Sequence, residues 1–144
     1  MAPWTSEPRA RQAAAQSSGK TGISVVGDRA YVAWGPSGLQ ILDVSNPAAV
    51  TRLGGYDTPG SAIGLQVVGS LAYVADHGAG LSVLDVSDPG AVIRVGGYDT
   101  SGVAYDVEVI GNRAYVADYD SGLEIIQLGS PVASVEHVVD NTYR

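Results

Sequence analysis

Cysteine is absent from the 144 residues, so the chain can build neither a disulfide framework nor a thiolate metal site. Phenylalanine is absent too, and the aromatic load rests on eight Tyr and two Trp. Histidine occurs twice, as His77 and His137, with no clustered partner. That scarcity argues against a zinc site and against a Ser-His-Asp triad. The chain lacks G-x-S-x-G, Walker A, G-x-G-x-x-G and H-E-x-x-H motifs, and no enzymatic activity is expected from it. No run approaches the roughly 18–20 apolar residues of a membrane helix, so membrane insertion is not expected. Residues 1–20 hold no apolar stretch of the roughly 7–15 residues that a signal peptide requires. Ala, Gln, Ser and Pro dominate them, and they read as a flexible arm.

Positive charge is also scarce. Eight Lys and Arg stand against 15 Asp and Glu, a net charge of −7. The first 20 residues carry Arg9, Arg11 and Lys20 against Glu7, which leaves −9 on the remainder. A body this acidic repels phosphate backbones, and nucleic acid is not an expected partner.

What the chain has in abundance is itself. "YVAWGPSGLQILDVSNPA" from Tyr31 returns as "YVADHGAGLSVLDVSDPG" from Tyr73 and as "YVADYDSGLEIIQLGSPV" from Tyr115. Residues 31–72 and 73–114 align without a gap, 23 of 42 positions being identical. The copies run over 21–61, 62–103 and 104–144, and the third drifts after Ile126, as a terminal repeat does. Within a copy the hydrophobic period is two. Val107 and Val109 alternate with Asp106 and Glu108. "RAYVAD" and "GLSVLDVS" are short β-branched or aromatic runs, and "AVIRVGGYDT" starts as a strand and is expected to break at Gly96-Gly97. Turn chemistry separates these runs: Gly for positive φ, Pro for fixed φ, Asp and Ser for side-chain bonds to backbone. Four short strands per 42 residues is the size of a propeller blade. The expected class is therefore all-β, three four-stranded antiparallel blades.

"YVADHGAGLSVLDVSDP", followed by "GGYDTSGVAYDVEVIGNRAYVAD", resembles the LVIVD-repeat proteins of bacteria and archaea, and the likeness covers residues 21–126. The resemblance implies a β-propeller and an extracellular or cell-surface location, and it carries no catalytic residue across. Trp34 departs from the pattern, replacing the Asp found at Asp76 and Asp118.

Repeats diverge where the scaffold leaves a position free, so divergence marks candidates for a site. Trp34, His77 and Tyr119 follow the second strand of successive copies and are expected to share one rim. Asp106 replaces Gly22 and Gly64, and Glu108 replaces Ser24 and Gln66. Aromatics beside Asp76, Asp118, Asp106 and Glu108 suit a sugar ledge, the ring stacking on a sugar face while acids accept its hydroxyl protons. No cofactor is expected, and Ca²⁺ on these carboxylates is a lesser reading. Asp at Asp76 and Asp118 more often bonds the backbone of a turn. Asp43 and Asp85, before "VSNP" and "VSDP", are expected to stabilise turns.

Three blades leave a ring unfinished, since propellers close with roughly four to eight. Each end of the arc is expected to expose an apolar blade face. The expected partner is a second copy, giving a homodimer that closes a six-bladed ring, with an open filament as the alternative. Glycan is the further partner considered.

Overall fold

A computed structural model describes residues 22–129 together with the backbone of the strand over 135–143. The expected arm of residues 1–20 lies outside the described residues. Among the described residues twelve strands form three four-stranded antiparallel sheets. The first holds β1 (Ile23–Val26), β2 (Arg29–Ala33), β3 (Leu39–Asp43) and β4 (Thr51–Tyr56). The second holds β5 (Gly64–Val68), β6 (Leu71–Ala75), β7 (Leu81–Asp85) and β8 (Ile93–Tyr98). The third holds β9 (Asp106–Ile110), β10 (Arg113–Ala117), β11 (Leu123–Leu128) and β12 (Val135–Tyr143). Each sheet is a simple meander in sequence order. Helical structure among the described residues is confined to single 3₁₀ turns at Pro89–Ala91 and Tyr119–Ser121.

The two-residue period puts alternate side chains on opposite faces of each blade. Tyr31, Ala33, Leu39 and Ile41 of the first blade pack against Ala72, Val74 and Leu84 of the second. Tyr73, Ala75, Leu81 and Val83, on the second blade's other face, pack against Ala114, Val116 and Ile126 of the third. The innermost strands take part on the same terms: Leu65 joins the first junction, Val107 and Val109 the second. Both blade junctions are therefore apolar layers built from equivalent residues.

Two expectations need correction. β4 and β8 do not break at their glycine pairs: both strands run on through Gly54-Gly55 and Gly96-Gly97 to a tyrosine. The pair is there for close approach. A Cβ on Gly54 would lie 1.7 Å from the Pro89 carbonyl oxygen of the next blade, so only glycine lets the two segments meet. The second correction concerns the ends of the arc. Ala30, Val32 and Leu42, on the first blade's outward face, are only 1–2% exposed, with Val44 and Val50 packed against them. The open part of that face is the inner strand, where Ile23 and Val25 are 58% and 60% exposed.

Candidate functional site

After the second strand of each blade the chain makes the same tight turn. Trp34, Asp76 and Asp118 donate their N–H groups to the carbonyls of Gly38, Gly80 and Gly122 at 2.7–2.8 Å. Trp34 thus occupies the aspartate position, one residue before the register of His77 and Tyr119, whose true counterpart is Gly35. All three of these residues are left-handed, with φ of 52° at Gly35 and 53° at both His77 and Tyr119. Glycine adopts that conformation freely, whereas His and Tyr are held there at an energetic cost. His77 is fixed by paired backbone bonds with Ala104 of the next blade, at 3.1 and 3.0 Å, as Gly35 is with Ala62.

Trp34, His77 and Tyr119 all lie in the turn after the second strand of their blades, but the ring contacts join only two of them. Tyr105 packs edge-on between His77 and Tyr119, with ring centroids 5.7 and 5.4 Å away. Trp34, half-buried in the first blade, has no place in this ladder. Tyr105 was not singled out in the sequence, although it stands where the second blade has Ile63, an aliphatic-to-aromatic change that marks it. Tyr119 is 65% exposed and forms the outer end.

Beneath the rim the aspartates are buried and engaged. Asp76 accepts from Thr58 Oγ1 at 2.6 Å, from the Gly60 N–H at 2.9 Å and from Ser82 Oγ at 3.4 Å. It thereby ties the loop between β4 and β5 to the second blade. Burial raises its pKa above the ordinary carboxylate value, against the opposing pull of those bonds and of Arg94. Asp118 repeats only part of this pattern. It accepts from the Gly102 N–H at 2.6 Å, but its Oδ1 and Thr100 Oγ1 have no hydrogen-bond partner. Glu124, in the place of Ser82, is also buried and accepts from the Ser101 N–H at 3.1 Å. Its signal in the sequence is a carboxylate where the other copies have the neutral Gln40 and Ser82. Asp43 and Asp85 each accept from a serine two residues on, both N–H and hydroxyl, and these bonds hold their carboxyls below the ordinary range. Among the described residues no three His, Asp or Glu side chains come together as metal ligands.

Asp106 and Glu108 lie elsewhere, on the innermost strand of the third blade. With Gln66, Tyr115, Leu123 and Ile23 they line a cleft of about 660 Å³ running from the first blade's inner edge to the third blade's outward face. The carboxylates of the rim and those of the cleft are therefore two separate groups.

Meander sheets packed face to face, with their first strands innermost, define a β-propeller-type repeat module. The LVIVD repeat matches three times, over residues 19–58, 59–100 and 101–133, and the chain belongs to that family. No curated protein matches it in sequence. Among solved structures it is similar to the computationally designed Ika8 protein, at TM-score 0.59 and 8% identity over 78% of this chain and 33% of that one. It is likewise similar to a europium-containing methanol dehydrogenase, at TM-score 0.61 and 11% identity over 80% of this chain and 23% of the other. The chain spans a third or less of the length of these structures, and at such identities the likeness is one of fold.

Proposed function

We propose that this protein is a non-catalytic β-propeller module that self-assembles across the outward face of its third blade, in an extracellular or cell-surface setting. One observation carries the reading. Tyr31, Ala33, Leu39 and Ile41, and their counterparts in the second blade, are at most 5% exposed. The same face of the third blade leaves Ala117 exposed and Tyr115, Leu123 and Ile125 only half-buried. A matching deficit stands at the other end of the arc, where Ile23 and Val25 are bare while Leu65, Val107 and Val109 are 5–8% exposed. The third blade's outward face and the bare inner strand of the first blade are the open surfaces of the arc. Because Ala30, Val32 and Leu42 are already covered, a head-to-tail contact between copies centres on the inner strands. Apolar area removed from water at about 25 cal/mol per Å² drives it. Two copies supply six blades, within the usual range for a closed ring.

Light scattering and sedimentation at micromolar concentration test this. A species of twice 14.8 kDa is expected, and a mass that grows with concentration points to the open filament. A folded monomer throughout overturns the proposal.

A second reading is favoured by the His77–Tyr105–Tyr119 ladder, two of whose members bear a left-handed backbone that glycine would relieve. In this reading the rim stacks on a sugar face. Glycan-array binding lost in the Tyr119→Ser protein supports it, and no binding to any glycan removes it.

A further inference from the structure

We infer that Asp106 and Glu108 set the tightness of the junction between copies, an inference that rests on the assembly reading above. Both junctions inside the chain bring two innermost strands into very close approach. A Cβ on Gly22 would lie 2.9 Å from the Gly64 α-carbon, and one on Gly64 would lie 2.8 Å from the Tyr105 carbonyl oxygen and 3.0 Å from the Asp106 α-carbon. Side-chain carbons do not sit that close to backbone, so each junction requires glycine on its inner strand. The third blade has Asp106 at that place. A copy docked with the geometry of the internal junctions would meet the Asp106 Cβ where glycine left room, so the blades there stand further apart.

The next residue on that face repeats the theme. Gln66 Oε1 accepts the Val109 N–H at 2.6 Å, and its Nε2 donates to the Val109 carbonyl at 3.3 Å. One amide thus satisfies both edge groups of the neighbouring strand. Glu108 stands in register where Gln66 does: Gln66 pairs across to Tyr73, and Glu108 to Tyr115. Val109 is opposite Ala114, and Val25 is likewise opposite Ala30. In a head-to-tail assembly Glu108 therefore faces Val25 of the next copy. Its carboxylate accepts the Val25 N–H but offers no donor to the Val25 carbonyl, which it repels. The third junction lacks the glycine that both internal junctions have and the amide that the second has, and on the first blade's side only the inner strand is open to it. Association is weaker than the packing inside the chain, and reversible.

Sedimentation of the full chain as wild type, D106G, D106A, E108Q and E108A tests this, with circular dichroism as the folding check. D106G and E108Q are each expected to tighten association by about tenfold or more, a decade being about 1.4 kcal/mol. D106A keeps the Cβ and is expected to remain near wild type, and E108A to fall well short of E108Q. If D106A tightens as much as D106G, or E108A as much as E108Q, charge alone is responsible and the inference falls. If the wild type assembles and no variant differs from it, the inference falls while the assembly reading stands. If nothing assembles, both fall. If only D106G or E108Q assembles, the inference holds and native self-assembly is overturned. Should D106G fail to fold, the comparison of E108Q with E108A decides alone.

Discussion

Thr58 and Thr100 hold the same place in successive blades, yet only one makes its bond. Thr58 donates to a buried aspartate at 2.6 Å, while Thr100 Oγ1, equally buried, has no partner. Thr58→Val is expected to cost about 1–2 kcal/mol, the loss of a hydrogen bond to a buried charged group. Thr100→Val, which removes an unsatisfied hydroxyl, is expected to be neutral or stabilising. Urea unfolding of both proteins checks the contrast, and equal losses count against it. Asp76 also ties stability to pH. Its native pKa is raised by burial, so its stabilising contribution is complete below the ordinary carboxylate value of 3.8 and is lost as pH climbs through the raised native value. Asp43 and Asp85 work in the opposite sense, since their contribution is present above that value and lost as pH falls through their lowered native ones. In Asp76→Ala the decline in stability above about pH 4 is expected to flatten. Unfolding midpoints that run parallel to wild type from pH 4 to 7 would contradict this.

At the scale of the element, the glycine pair of β4 and β8 shows how a local rule can mislead. Two glycines ordinarily weaken a strand, and read alone they suggest its end. β4 runs on because Gly54, Gly55 and Tyr56 pair with Ile41, Gln40 and Leu39 of β3. Glycine stands at 54 because the 3₁₀ turn at Pro89–Ala91 of the neighbouring blade needs the space that a side chain would fill. Gly54→Ala is accordingly expected to destabilise by about 2 kcal/mol or more, within the range of overpacked sites. Thermal melts decide it, and a stabilised variant would show that the two segments do not meet. The strands themselves were legible because alternation and turn residues act locally. Gly54's reason was not, because it lies some 35 residues away in the chain.

For the whole molecule, Ile23 separates folding from assembly. It is 58% exposed here, whereas its counterparts Leu65 and Val107 are 8% and 5% exposed inside the junctions. Ile23→Arg is expected to leave the melting temperature nearly unchanged, as exposed substitutions do within about 0.5 kcal/mol. It is also expected to shift the mass in solution to that of the monomer. A variant that still assembles like wild type would place the contact elsewhere.

The repeat, its 42-residue period and the all-β class were settled by the sequence alone, because side-chain alternation and turn chemistry operate over a few residues and recur three times. Asp43 and Asp85 were legible for the same reason, each bonding a serine two positions away. The tertiary structure alone decided which divergent residues belong together. Tyr105, rather than Trp34, joins His77 and Tyr119, because that contact forms between blades and the turn register shifts Trp34 into the aspartate position. Only packing, too, distinguishes Asp76, fully bonded, from Asp118 with its unpartnered oxygen. The meaning of Asp106 emerged the same way: its two glycine counterparts are demanded by a neighbouring strand, and that crowding exists only once the blades are side by side.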